Sequence, residues 1–381
     1  MVTGNLNAVF GTGQTLAYGA SPIVLANPQV QWERTKQTDV GADMSFFGGH
    51  LDATADYYRR VTDGILVQVP VPLYVGVGTN TPFVNAAQVE NRGFEGTLDL
   101  HGSKTGSVGY DLGVNASTVH NEVLQLGEGK KDILAGGWGN QVTISTRTAV
   151  GHPIGCFWGY KVAGVFQNQA EVDSSPTLGT EYPGDLKFAD LNHVDSLGNV
   201  VAGPDTAITD ADKTFLGCPE PTLVYGFNGS LTVGPFQFSA NFSGQAGNKI
   251  FNAKRGVRFG VDNFQTSFLN RWHGEGTSNT EPRITTAGPD YQPSDRFIES
   301  GAFLLLQAAQ ISYQLPDNLA HSFGFTAARI YVNGTNLFDK TAYTGYTPQI
   351  PGGSVIASGI DLPTGIFPPA RTITGGVDVT F

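Results

Sequence analysis

The stretch Leu223-Val224-Tyr225-Gly226-Phe227-Asn228-Gly229-Ser230-Leu231-Thr232-Val233, followed by Gly234-Pro235 and then Phe236-Gln237-Phe238-Ser239-Ala240-Asn241-Phe242-Ser243, reads as two strands and a tight turn. Odd positions of the first strand are apolar or glycine; even positions are mostly polar or small. The second strand keeps Phe236, Phe238, Ala240 and Phe242 on one face and Gln237, Ser239, Asn241 and Ser243 on the other. Period two over about ten residues is the pattern of a strand with two unlike faces. Gly-Pro between the runs is a turn signal.

The same pattern recurs along the chain. Asp39–Phe46 and Leu51–Tyr58 flank Phe47-Gly48-Gly49-His50, and Phe94–Leu100 and Tyr110–Thr118 flank a polar turn near Ser103. Phe303–Leu315 and Ile330–Phe338 alternate more weakly, and Thr372–Phe381 alternates cleanly. About nine strands of bilayer-crossing length emerge. Connections alternate short and long, and the long ones are Thr62–Gln88, His120–Glu220, Lys249–Phe297 and Asp339–Pro369. All long loops therefore leave one rim. Soluble domains seldom carry several such loops, whereas membrane barrels do so as a rule. The expected fold is all-β: an antiparallel transmembrane β-barrel, partial, with nine to eleven strands of a larger barrel and long extracellular loops. A soluble all-β ligand-binding module or adhesin is the alternative reading. Solubility without detergent separates the two.

Composition agrees. The 381 residues include 50 Gly, only 14% charged side chains and 33 acidic against 22 basic residues. Soluble domains average about 25% charged. A coiled coil, a helix-rich enzyme and a basic nucleic-acid binder are excluded, so no nucleic-acid partner is expected. No zincin-type histidine motif, nucleophile elbow or complete phosphate loop occurs, which argues against an enzyme. The seven histidines read as turn and loop residues.

Several segments, in order, resemble the C-terminal half of the SusC/RagA-type TonB-linked outer-membrane proteins, the TonB-dependent receptors. They include Asn27-Pro28 through Trp32-Glu33-Arg34-Thr35, Glu90-Asn91-Arg92-Gly93-Phe94-Glu95-Gly96, and Gly151-His152-Pro153-Ile154-Gly155-Cys156-Phe157-Trp158-Gly159-Tyr160-Lys161. Tyr182-Pro183-Gly184-Asp185-Leu186, Phe297-Ile298-Glu299-Ser300-Gly301, Asn333-Gly334-Thr335-Asn336-Leu337-Phe338 and the terminal Phe381 continue the series. The resemblance implies a Gram-negative outer-membrane location and a 22-stranded, plugged barrel. Residues 1–381 would then be the C-terminal part of that barrel, without the plug domain. Residues 1–32 are expected to be an extracellular loop and 120–220 a long extracellular insertion. An additional hairpin through 141–150 and 157–166 is the competing reading of that insertion. The implied function is TonB-energised uptake of oligosaccharides or peptides. The implied partners are a SusD-like surface lipoprotein, TonB through the plug, and outer-membrane lipid. An open-edged sheet, unable to transport alone, is expected of the isolated chain.

Ligand contacts, if this half makes them, are expected from the loop aromatics Trp138, Trp158, Trp272, Tyr343 and Tyr346, whose faces suit sugar rings and peptide side chains. Arg258, Asp262 and Arg271 are the expected polar partners. Packing or interfacial roles are the competing reading. No cofactor is required. Asp190, Asn192 and Asp195 have oxygen ligands spaced for calcium, although His193-Val194 interrupts the turn, and a solvated acidic loop is the alternative. Cys156 and Cys218 either pair or remain two buried thiols. A bridge would close a loop of about 60 residues and add roughly 4 kcal/mol in the chain-entropy model.

Overall fold

The computed structural model describes residues 6–10, 12–13, 15–19, 27–68, 83–102, 108–127, 131–139, 142–256, 264–362 and 366–381. Its frame is one ten-stranded antiparallel sheet, the wall. The wall strands are β1 (Arg34–Phe46), β2 (Leu51–Gln68), β3 (Phe83–His101), β4 (Val108–Thr118) and β5 (His120–Leu126). They continue with β6 (Leu223–Val233), β7 (Phe236–Ala246), β8 (Phe303–Gln314), β9 (Ala327–Thr341) and β10 (Thr372–Thr380). The order is β10-β9-β8-β7-β6-β4-β3-β2-β1, with β5 also beside β3. Among the described residues β1 and β10 do not pair, so the wall is an open arc of a barrel.

Local chemistry sets these strands. Val233 pairs with Phe236 across Gly234-Pro235, and Gly234 has φ 57°. A positive φ at the first central residue is what a II′ hairpin turn asks of glycine. β4 and β5 share one position beside β3, broken at Val119, whose N–H leaves the ladder for the Thr222 carbonyl at 3.0 Å. Gly93 of β3 sits at this break. A Cβ there would lie 1.8 Å from the Thr118 carbonyl oxygen, so the close approach requires glycine.

Register makes the wall two-faced. One transverse row reads Tyr110, Leu231, Phe238, Ile311 and Val332. The row beside it reads Asp111, Ser230, Ser239, Gln310, Asn333 and Thr374. The apolar row is exposed: Leu231 is 41% accessible, Ile311 53% and Val332 53%. In β10 the odd residues Ile373, Val377 and Val379 join this apolar face, and Phe381 beyond them is exposed. No second sheet covers it among the described residues. An apolar face this extensive is incompatible with water and suits lipid. The four asparagines Asn115, Asn228, Asn241 and Asn333 lie on the polar face, as expected of a wet interior.

The dry core lies mostly in the connections, with one cluster where β3 and β5 meet at the long-loop end of the wall. Val142, Ile144, Phe157, Phe251 and Phe297 form one cluster, Tyr160, Val165, Leu186, Phe188 and Ile208 a second, and Ala87, Val89, Val123 and Leu126 a third. Within residues 120–220 a separate four-stranded sheet runs Thr214–Gly217, Cys156–Gly159, Val142–Ala149, Asp132–Gly139. The strand Val142–Ala149 pairs over eight residues with Asp132–Gly139, not with the wall. The segments 141–150 and 157–166 therefore add no wall strand.

Three boundaries differ from expectation. The insertion read as 120–220 starts later, because His120–Leu126 is wall strand β5, paired with β3. Residues 1–32 contain a hairpin, Leu6–Phe10 against Thr15–Gly19, and not only loop. The connection read as Thr62–Gln88 is shorter, because β2 and β3 run on to Gln68 and from Phe83. Asp63-Gly64 forms a bulge in the continuing ladder. Gly64 has φ 71°, and its carbonyl accepts from Asn85 Nδ2 at 2.7 Å.

Candidate ligand site at the long-loop rim

The loop block above the wall is fastened by covalent and ionic ties. Cys156 and Cys218 are joined as a disulfide. This clamps the sheet strand Cys156–Gly159 to the segment that feeds β6. Asp185, 1% exposed, accepts two guanidinium hydrogens from Arg283 and the Tyr182 N–H. Asp290, 2% exposed, accepts the Leu186 N–H at 2.7 Å with Oδ1, while Oδ2 has no hydrogen-bond partner. Burial, then the Asp185 charge, push the Asp290 carboxyl up to about 7. Arg296 is buried, which lowers its guanidinium from the usual range. It donates to Glu281 at 3.1 Å, and Arg255 donates to the same carboxylate group.

The aromatic residues singled out from the sequence do not gather in one site. Trp158 packs edge-on against Phe215 with ring centroids 5.0 Å apart, and the Arg147 guanidinium lies 4.2 Å over the indole. Arg147 also lies 2.7 Å from the Asp132 carboxylate, with its Nε–H turned off the contact, so the pair is an ion contact rather than a hydrogen bond. One face of Trp158 is thus already used. Replacing Arg147 with alanine is expected to cost about 1 kcal/mol of loop-block stability, the worth of an accessible cation–π contact. Trp158 fluorescence followed through denaturation would show it.

Trp272 packs on the Tyr160–Leu186 cluster, with its indole N–H unpartnered. Arg271 turns back on the Phe268 carbonyl at 3.1 Å. Trp138 lies opposite Thr143 in the small sheet. Arg258 and Asp262 lie outside the described residues. Tyr343 and Tyr346 do come together, around a buried ion pair. Lys254 Nζ is 2.8 Å from Asp361 Oδ2, the Tyr343 hydroxyl donates to the same carboxylate, and Tyr346 lies 4.6 Å from Nζ. Burial and the Asp361 charge push the Tyr343 hydroxyl well above its ordinary range. Tyr343 is therefore a buried strut, whereas Tyr346 is 64% exposed.

The proposed calcium ligands have other work. Asp190 accepts the Asp205 and Thr206 N–H groups, and Asp195 caps a turn through Leu197 and Asn199. Asn192 donates its side-chain amide to the Ala211 carbonyl. Among the described residues no three His, Cys, Asp or Glu side chains gather as metal ligands.

Concavities are found on the wall and at its long-loop rim. A shallow one of about 310 Å³ lies on the polar face of the wall, floored by Asn228, Asn241, Gln310 and Asn333. Two others sit at the long-loop end. One, about 270 Å³, is lined by Phe303, Asn336, Tyr346, Gln349 and Arg371 among others. The other, about 500 Å³, is lined by Glu220, Gln245, Asn248, Gln349 and Ser358 together with prolines. Gln245 pairs with Phe303, and both share the face of Asn241. The two rim cavities therefore open on the polar side of the wall. Of their lining, only Tyr346 was singled out from sequence.

A wall with an outward apolar face, a polar inner face and large loops at one rim defines a transmembrane β-barrel. The pattern of the family described as "TonB dependent receptor-like, beta-barrel" matches residues 3–337, and the chain belongs to that family of outer-membrane barrels. It is 29% identical over 394 residues to TonB-dependent receptor P26 of Formosa agariphila, covering 99% of this chain and 37% of that protein. It is 25% identical over 388 residues to TonB-dependent receptor SusC of Bacteroides thetaiotaomicron, covering 100% of this chain and 35% of SusC. The chain thus spans about a third of the length of these curated relatives. In fold it is similar to the structure of the RagAB peptide transporter, with TM-score 0.75 at 21% identity, covering 100% of this chain and 38% of that one.

Proposed function

We propose that this chain forms the C-terminal wall and substrate-facing rim of an outer-membrane nutrient importer that takes up oligosaccharides or peptides with energy from TonB. One observation carries the reading. The apolar outside and polar inside of the wall lead to two rim cavities on the inner side, where a solute entering the barrel would first meet the protein. The similar RagAB structure is that of a peptide transporter, and SusC is a TonB-dependent receptor, which supports TonB-energised import. By the same likeness, a SusD-like surface lipoprotein would cover the long-loop rim. TonB would act through a plug inside the lumen, and the apolar face would meet outer-membrane lipid.

The test is uptake of fluorescent oligosaccharides and peptides by cells expressing the receptor, with and without functional TonB. Uptake is expected to vanish without TonB. TonB-independent uptake, or fractionation of the protein with soluble proteins without detergent, would overturn the reading.

A further inference from the structure

The outward face of the wall changes character toward the long-loop rim. On β2 the outward residues from the short turn are Leu51, Ala53, Ala55 and Tyr57, and their β3 partners are uncharged up to Phe94. Leu51 shares its row with Leu100 and Leu112, and Leu112 lies two residues from Tyr110 in the apolar row. The next outward pair beyond Tyr57 and Phe94 is Arg59 opposite Arg92. Thr38 and His120 complete that row, which holds no carboxylate.

Like charges directly opposite one another in a ladder repel. Here both are anchored from the side away from the apolar band. Glu90, buried, accepts from Arg59 Nη2 and lies 3.4 Å from Arg92 Nη1. Glu122, opposite Glu90, lies 3.9 Å from Arg92 and 3.5 Å from His120. The two arginine side chains nevertheless stay 51% and 46% exposed. Lys36, exposed on β1 in register with Val61, adds a third cation, so Arg59, Arg92 and Lys36 outnumber Glu90 and Glu122.

Depth says what this cluster meets. The Tyr57 and Phe94 rings pack 5.1 Å apart just below it, where the aromatic girdle of a barrel sits at the membrane interface. A charged row above such a girdle meets headgroups and not hydrocarbon. An anion bridging the two guanidinium groups relieves their repulsion. Phosphate oxygens match arginine forks in pairs.

We propose that Arg59 and Arg92, with Lys36 beside them, hold the phosphate of an outer-leaflet lipid whose acyl chains lie along the apolar face below Tyr57 and Phe94. This inference rests on the reading that the apolar face meets outer-membrane lipid, and it adds a specific headgroup site to that face.

The test is native mass spectrometry of the detergent-solubilised chain incubated with a bisphosphorylated glycolipid (lipid A), with the same lipid after dephosphorylation, and with inorganic phosphate as competitor. The phosphorylated lipid is expected to be retained about ten-fold better than the dephosphorylated one, in the range for charge-assisted hydrogen bonds to one phosphate. Excess inorganic phosphate is expected to leave it bound, because the free ion gains nothing from the apolar face. Combining Arg59→Gln, Glu90→Gln and Arg92→Gln removes the buried carboxylate together with its partners, so no buried charge is left alone. That triple variant is expected to retain the two lipids equally. Lys340→Gln, which alters an exposed cation paired with Leu304 far along the wall, is expected to bind as wild type does. Equal retention of both lipids by wild type, unchanged selectivity in the triple variant, the same loss in Lys340→Gln, or displacement by inorganic phosphate would each overturn the proposal. Arginine substitution on the two faces of β8 tests the lipid-facing reading separately, so failure of the phosphate site alone leaves that reading standing.

Discussion

Ile311→Arg is expected to destabilise the membrane-inserted protein and lower its abundance, and Gln310→Arg, one residue away, is expected to be tolerated. Both positions lie in the half of β8 nearer the short-turn rim, at similar depth. Ile311 belongs to the exposed apolar row with Leu231, Phe238 and Val332. Gln310 belongs to the polar row with Ser230, Ser239 and Asn333. A strand residue cannot face both ways, so the two substitutions sample opposite sides of one wall. An arginine facing lipid costs from about 1 kcal/mol near the interface up to roughly 2–4 kcal/mol at the midplane, and one in a wet lumen costs little. The measurement is guanidinium unfolding of the receptor in lipid vesicles, with outer-membrane abundance as a second readout. Equal tolerance of both variants would mean that the apolar row does not meet lipid. Loss with Gln310→Arg alone would reverse the faces.

Most of the wall was legible because alternation is local. Each pair of residues carries the signal, and the hairpin turns at Phe47–Gly49 and Gly234-Pro235 mark its ends. The two strands with weak alternation, β8 and β9, are weak for a structural reason. The ladder between Asn241/Phe242 and Ala308/Leu306 holds one extra residue, Gln307, and β9 is irregular opposite it, with Asn336 at φ 51°. A bulge moves every later side chain to the other face. Below it Ile311 and Tyr313 lie on the apolar side; above it Leu304 and Leu306 do, and Phe303 and Leu305 turn inward. Read without the bulge, the segment looks apolar on both sides. Ordered motifs covering the chain pointed to the family where periodicity could give only a barrel.

The rim resisted sequence reading because its contacts are long-range and aperiodic. Phe157, Phe251 and Phe297 pack together from three separate segments. Asp185, Arg283 and Asp290 form one ionic cluster across about a hundred residues of chain. Choosing loop aromatics found Tyr346 at a cavity, but it also chose Tyr343, whose hydroxyl is taken by Asp361.

The buried Asp290 makes loop-block stability depend on pH in an unusual direction. Burial is the largest cause of its raised pKa, and repulsion from Asp185 adds to it; the Leu186 N–H, Arg296 and Arg283 pull the other way. The carboxyl moves from 3.8 to about 7. Between these values the folded chain holds a proton that the unfolded chain has released. Stability therefore falls as pH rises from about 4 to about 7, and levels off above. The full shift corresponds to on the order of 4 kcal/mol, an upper bound for a carboxylate coupled to Asp185. Glu171 and Asp210 act oppositely: the Gln167 N–H and Lys213, respectively, hold them below the ordinary carboxylate range. Their contribution is present above that range and is lost as pH falls through it. The difference between wild type and Asp290→Asn isolates the Asp290 part. Asparagine keeps the acceptor for Leu186 N–H and carries no charge at any pH. The variant is expected to match wild type near pH 4 and to exceed it by a few kcal/mol at pH 8. Hydrogen exchange of the Leu186 amide at both pH values reads this directly. Equal protection of variant and wild type at pH 8 would show that Asp290 is ionised there at no cost, and that its burial is relieved by a contact other than the ones seen.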